Sequence, residues 1–437
     1  MLPSIIICCI TCIAMILSIL FFPKIKIGKI AVDTYWVVTL LGAGILLACK
    51  SAKIATVGGA LLSDAAVNPL KILVLFLSMT VLSVFLDELG FFGYLAGVAL
   101  KKAKTRQTKL FLYLYLTVSV LTVFTSNDVI ILSFTPFICY FCKNAKINPT
   151  PYLAAEFVAA NTWSMALMIG NPTNIYLSTA YGIDFLGYFK IAVVPTLSAG
   201  AVAFLMLYLL FRKKLTEPMN CEAVSAEVKD KLLTGVGIAH LAVCTVLLAV
   251  SSYIKLEMWI VSLCSVASLF TTAYIIALVR RQKPEAMIGC IKRAPYQLVP
   301  FVLSMFVMIV ALNEQGVTES VARLFGSSLP IIKYGVSSFL ASNLINNIPM
   351  SVLFSSIIQS SGGAAGTAAV FATVVGSNLG ALFTPIGALA GIMWSNILNK
   401  HGIKFGYIDF LKIGVTVALP ALVAALGTLK LMLMALG

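Results

Sequence analysis

The sequence predicts an all-α polytopic membrane protein made of two inverted repeats, with about ten transmembrane helices, two re-entrant helical hairpins and two broken helices. Three observations predict it. Hydrophobic residues are 60% of the 437 and charged residues 11%, whereas soluble domains carry about a quarter charged. Many apolar runs reach the ~20 residues that a helix needs to cross a bilayer. Third, a set of polar passages occurs twice in the same order. The first half has Asp87-Glu88-Leu89-Gly90, Ser126-Asn127-Asp128, Asn161 and Gly170-Asn171-Pro172-Thr173-Asn174; the second has Asn313-Glu314-Gln315-Gly316, Ile345-Asn346-Asn347, Asn378 and Thr384-Pro385-Ile386-Gly387. Asn161 precedes Gly170 by nine residues, and Asn378 precedes Gly387 by nine. Paired interruptions of this kind point to a transporter's binding site.

Charge orders the elements. The run from Ile5 to Phe22 has no charged region before it and no small-residue cleavage site after it, so it reads as a membrane helix rather than a signal peptide. With the N-terminus outside, helix 1 (4–23) delivers Lys24, Lys26 and Lys29 to the cytoplasm and helix 2 (30–49) returns. Helix 3 (70–95) then leads to Lys101, Lys102, Lys104, Arg106 and Lys109. Lys143 and Lys146 belong on the same side, so 110–142 must leave and come back. That is too short for two full crossings and a turn at 1.5 Å per residue, and a re-entrant hairpin with Thr125-Ser126-Asn127-Asp128 at its tip fits instead. The span 152–182 is broken at Gly170 to Asn174, and helix 6 (189–211) returns to Arg212, Lys213 and Lys214.

The second half repeats this upside down. Helices at 234–253 and 257–279 lead out and back to Arg280, Arg281 and Lys283, and 294–312 exits. A hairpin over 331–360 has Asn346-Asn347-Ile348-Pro349 at its tip, the span 366–398 is broken at Thr384 to Gly387, and 408–434 leaves. Residues 1–212 are thus the first repeat, 213–233 a cytoplasmic linker loop and 234–437 the second repeat, with both termini outside. This orientation puts roughly three quarters of the 31 Lys and Arg in the cytoplasm, which decides it over the reverse.

A helix that stops inside the membrane leaves N–H and C=O groups without intrahelical partners, and its two ends attract opposite charges. Two tips meeting two breaks at the midplane therefore assemble a site for a small oxyanion, a polyhydroxylated neutral solute or a dehydrated Na⁺. Gly170 and Gly387 admit unusual backbone angles, and Pro172 and Pro385 stop helices. Ser126, Asn127, Asn161, Asn171, Thr173, Asn174, Asn346, Asn347, Asn378 and Thr384 bring amide and hydroxyl ligands. Small polar residues also simply pack membrane helices, but packing alone accounts for neither the inversion nor the matched spacing. Asp128 is the one carboxylate at a tip, and an acid at membrane depth marks function by default. It would neutralise a coupling cation or exchange a proton. Glu156 reads as a proton relay or, more simply, an interfacial charge, and the matched Glu88 and Glu314 suggest a shared structural or coupling role at helix ends.

Other classes are excluded. The formal charge of +15 sits in short loops between apolar spans, which is membrane topology rather than nucleic-acid binding. Cys139 and Cys142 form a C-x-x-C inside an apolar run, and neither they nor the two histidines have zinc-site spacing. A membrane enzyme would need an acid/base or metal cluster that two peripheral histidines do not supply. No cofactor is called for, and no P-loop is present, so transport would run on an ion gradient or the membrane potential; a passive channel is harder to exclude, because the same polar midplane could line a pore.

Phe85-Leu-Asp-Glu-Leu-Gly-Phe-Phe92, Asn127-Asp128 with Thr135-Pro136, Arg293-Ala-Pro-Tyr-Gln297, Asn346-Asn-Ile-Pro349 and Thr384-Pro-Ile-Gly-Ala-Leu-Ala390 resemble the arsenite-efflux permeases. These lie within the ion transporter superfamily that also holds sodium/proton antiporters and carboxylate symporters. The resemblance covers nearly the whole chain. It implies a carrier of the cell membrane, with tips and broken helices holding the solute, that exports trivalent arsenic or antimony hydroxides in exchange for protons, sometimes with a soluble ATPase partner. The wider superfamily offers the alternatives of sodium/proton antiport or sodium-coupled di- or tricarboxylate transport.

Overall fold

The hydrocarbon core of a bilayer offers backbone groups no water, so an apolar chain satisfies them within helices. The computed structural model describes residues 2–22, 24–27, 30–62, 68–103, 106–217, 219, 227–361 and 366–436, and most of these are helical. The first half runs α1 (Leu2–Phe21), β1 (Lys24–Ile27), β2 (Ile30–Asp33), α2 (Thr34–Ala48), α3 (Ile54–Leu62), α4 (Pro69–Glu88), α5 (Phe91–Ala103), α6 (Gln107–Phe124), α7 (Asn127–Asn144), α8 (Thr150–Trp163), α9 (Pro172–Ala180) and α10 (Phe185–Phe211). The second runs α11 (Lys231–Val250), α12 (Met258–Val279), α13 (Glu285–Arg293), α14 (Leu298–Glu314), α15 (Val317–Phe325), α16 (Pro330–Ile345), α17 (Asn347–Ser360), α18 (Gly366–Gly380), α19 (Leu389–Lys400), α20 (Tyr407–Ile413) and α21 (Leu419–Leu436). Eight helical segments among the described residues are long and apolar enough to cross a membrane, and α2 is apolar but shorter. Large apolar side chains such as Ile6, Ile10, Ile13 and Leu17 of α1 are exposed, as lipid-facing residues are.

The hairpins turn where the sequence predicts. α6 ends one residue before Thr125, and α7 starts at Asn127; α16 ends at Ile345, and α17 starts at Asn347. The arms of the first hairpin have 18 residues each, about 27 Å at 1.5 Å per residue, long enough to carry its tip to the bilayer midplane even when tilted. The spans 152–182 and 366–398 are broken as expected, into α8 and α9 and into α18 and α19.

Two helix bounds need correction. β1 and β2 pair antiparallel with Lys24 opposite Asp33, a small addition to an otherwise helical chain, and helix 2 begins at Thr34 instead of residue 30. The alternation of Lys and Ile around Gly28 is a hairpin signal that the apolar count absorbed. Helix 3 ends at Glu88 rather than near 95, because Gly90 turns the chain at φ 78° before α5. Gly316 makes the same turn at φ 68° between α14 and α15. Lys29 and Lys104, two of the basic residues assigned to the cytoplasm, and residues 220–226 of the linker loop lie outside the described residues.

The two halves embrace reciprocally. α2 packs on α14 and α12 packs on α4; α7 packs on α19 and α17 packs on α9. The matched carboxylates do the same. Arg293 at the end of α13 donates to Glu88 at 2.7 Å and to Asp87 at 2.6 Å. Glu314 at the end of α14 accepts from the Lys53 N–H at 3.1 Å and the Thr56 hydroxyl at 2.6 Å, gripping the start of α3. Glu88 and Glu314 thus each pin the other half's short helix, the shared role that their correspondence suggested.

Candidate functional site

Each break is built by residues that helices tolerate badly. After α8 the chain leaves helical geometry, makes a 3-10 turn over Met168–Gly170 and re-enters at Pro172, where a missing N–H costs nothing. Asn171 caps α9 by accepting from the Thr173 N–H at 3.2 Å. Gly170 lies so close to the Ser164 backbone that any Cβ there would overlap it. In the second half a Cβ on Gly387 would stand 2.9 Å from Ala381 Cα and from Gly380 O. These two glycines are needed for close approach.

Six of the sequence-predicted residues meet in one buried network. Asn127 Nδ2 donates to Asn161 Oδ1 at 3.1 Å, joining the first tip to α8. Asn378 from α18 accepts from Asn171 Nδ2 at 2.9 Å and donates to Asn174 Oδ1 at 2.8 Å. Thr173 Oγ1 donates to Asn171 Oδ1 at 3.1 Å. Ser164, which the sequence reading missed, donates to Asn378 Oδ1 at 3.0 Å and to Asn161 O at 2.9 Å. Its position just after α8, three residues beyond Asn161, was the available signal. Asn161, Thr173, Asn174 and Asn378 have no exposed surface.

The second tip makes a separate cluster. Asn346 adopts φ 70°, caps α17 through the Ile348 N–H at 3.3 Å and donates to Ile386 O at 2.9 Å. The Asn347 N–H donates to Gly387 O at 3.0 Å. Thr384 donates to Asn343 Oδ1 at 2.7 Å. Ser126, by contrast, is the N-cap of α7 and accepts from the Val129 N–H at 3.4 Å.

The caps also set the register between the tips. Ser126 and Asn346 are both N-caps, so Asn127 corresponds to Asn347 and Asp128 to Ile348, not Asp128 to Asn347 as order alone implies. Asp128 joins neither network. It lines a cavity of about 390 Å³ with Thr80, Tyr35, Gln297, Arg293 and Asn396. A second cavity, lined by Ile348, Pro172, Tyr176 and Val352, holds about 20 Å³. Phe76 and Leu298 border both. The cavity beside Asp128 is large and partly polar, and the one beside Ile348 is small and apolar.

Glu156 is not interfacial. It has no exposed surface and accepts from Thr135 at 2.7 Å and from the Trp394 indole at 3.3 Å, tying α7 and α8 to α19. Among the described residues no group of three His, Cys, Asp or Glu side chains is placed to hold a metal ion. Any cation at the tips would therefore rely on amide, hydroxyl and backbone oxygens.

Residues 30–376 match the citrate transporter family CitMHS. An arsenical pump membrane protein of Escherichia coli K12 is 26% identical over 370 residues, covering 82% of this chain and 85% of that protein. A putative arsenical pump membrane protein of Bacillus subtilis is 23% identical over 403 residues, covering 85% and 88%. Among solved structures, the YdaH transporter of Alcanivorax borkumensis, described as having an unusual topology, aligns with TM-score 0.60 at 12% identity over 99% of this chain and 98% of that one.

Proposed function

This chain belongs to the CitMHS citrate transporter family of membrane transporters, and on that premise we propose that it exports trivalent metalloid, as arsenite or antimonite, in exchange for protons across the cell membrane. The observation that carries this reading is the charge of the polar interior. The buried side chains at the tips and breaks are amides and hydroxyls without a single cation. The one guanidinium lining the open cavity, that of Arg293, is engaged by Asp87 and Glu88, and Lys292 is exposed at its rim. A tricarboxylate taken out of water needs paired positive groups, whereas neutral arsenous acid needs only hydrogen-bond partners. The arsenical pump relatives support the same choice.

The mechanism we propose is alternating access between two inverted repeats, 1–212 and 234–437, joined by the loop 213–233. Arg293 and Lys292 mark the open cavity as cytoplasmic, so this is the inward-facing state, with both termini outside. Solute enters beside Asp128, and the tips and breaks carry it as the side beside Ile348 opens. Asp128 takes the coupling proton. The family name favours the second reading, sodium-coupled uptake of a di- or tricarboxylate, with Na⁺ at the hairpin tips.

Proteoliposomes containing only this protein distinguish the two. We expect arsenite movement driven by an imposed pH gradient, without an ATPase, and loss of that pH dependence in Asp128→Asn. Sodium-dependent citrate flux with no arsenite flux would replace the first reading by the second.

A further inference from the structure

Three residues that line the open cavity carry side-chain oxygens without a partner among the described residues. Thr80 Oγ1 on α4 and Gln297 Oε1 just before α14 are buried without a hydrogen bond, and Thr80 as a residue is only 4% exposed. The Asp128 carboxylate on α7 enters no hydrogen bond or ion pair among the described residues, and it lines the same cavity. Buried polar atoms are satisfied in nearly all native proteins, so the two buried orphans of Thr80 and Gln297, on residues that share one cavity with the half-buried Asp128, call for a ligand or water. At 390 Å³ the cavity holds about a dozen waters' share of volume, far more than a dehydrated monovalent cation needs. The Gln297 amide and the Thr80 hydroxyl can each donate as well as accept, but their unpartnered atoms are oxygens and the Asp128 carboxylate only accepts, so these oxygens suit a ligand that donates. Asp33 adds a second carboxylate to the lining, paired with Lys24 at 3.7 Å.

We propose that Asp128, Thr80 and Gln297 form a loading subsite for a neutral solute presenting several hydroxyl hydrogens, of which arsenous acid is one, and that the same acceptors exclude polycarboxylates. The subsite rests on the carrier reading above and names the first contacts the solute makes. Thr80 and Gln297 receive two of its hydroxyls from one wall, and Asp128 receives a third from the hairpin tip. As the tip moves away from α4, the two-walled grip is lost, which releases the solute from the vestibule side.

Thr80→Val and Gln297→Met test this in the full-length protein in lipid nanodiscs, with thermal midpoints followed against sodium arsenite at neutral pH, sodium chloride and citrate. Removing an unpartnered polar atom costs the fold little, so ligand-free midpoints should stay at the wild-type value. Arsenite should raise the wild-type midpoint, with half-effect concentrations rising on the order of tenfold in each variant, the value of one good hydrogen bond. Citrate should shift nothing. If sodium chloride at matched sodium concentration stabilises the protein as much as sodium arsenite does, the ligand is the cation and the subsite for a neutral solute is overturned. Stabilisation unchanged in both variants, no stabilisation by either probe, or stabilisation by citrate overturns the subsite.

Discussion

Asn378 ties the second half to the first, and truncating it to alanine tests whether that tie is structural. Its side chain makes three cross-half bonds, accepting from Asn171 at 2.9 Å and from Ser164 at 3.0 Å and donating to Asn174 at 2.8 Å. In Asn378→Ala, Ser164 keeps its bond to Asn161 O, so the Asn171 amide is stranded and the Asn174 carbonyl is left with only the long 3.4 Å contact from Thr173. Each stranded buried group costs ~1–3 kcal/mol. Interhelical bonds measured inside membranes average ~0.6 and reach ~1.7 kcal/mol each. The two scales overlap at a loss of about 2–3 kcal/mol. Unfolding in mixed detergent micelles reads this, and a double-mutant cycle with Asn174→Ala should return a coupling on the order of 1 kcal/mol. A variant as stable as wild type that no longer binds solute would refute the reasoning, since Asn378 would then contact the solute instead of holding the helices.

Two further perturbations follow from the same accounting. Glu156→Ala strands the Thr135 hydroxyl and the Trp394 indole N–H, so stability should fall by ~2–6 kcal/mol, while Glu156→Gln retains an acceptor and should lose much less; equal losses would discount the hydrogen bonds. Gly170→Ala forces a methyl into the Ser164 backbone and should cost ~1–3 kcal/mol or more. Gly44→Ala, in the open on α2, should gain up to ~1 kcal/mol, and thermal midpoints of the pair measure both.

How much of this was legible beforehand depends on the range of the interaction that decides it. Apolar run length, Gly and Pro act within a few residues, so the helices, the two tips and the two breaks could be read directly. The strand pair at 24–33 was missed because alternating Lys and Ile count as apolar in a long window. Glu156 was misplaced because a helix buried all round has no polar face to show its depth, and α8 is buried along nearly its entire length. Position in the chain does not reveal depth in a bundle.

By itself the sequence determined a helical membrane protein with duplicated polar interruptions, and it named the amides and glycines that make them, because helix stops and backbone freedom are local chemistry. Only the tertiary structure decided which amide meets which: Asn378 reaches Asn171 and Asn174 across some 200 residues of chain. It also decided that Asp128 corresponds to Ile348 and lines a large, partly polar cavity, whereas Ile348 lines a small apolar one. Two halves with similar local patterns can pack with one side open or the other, and hydropathy is the same in both. The choice lies in contacts between distant helices, where the chemical inequality of Asp128 and Ile348 comes into play.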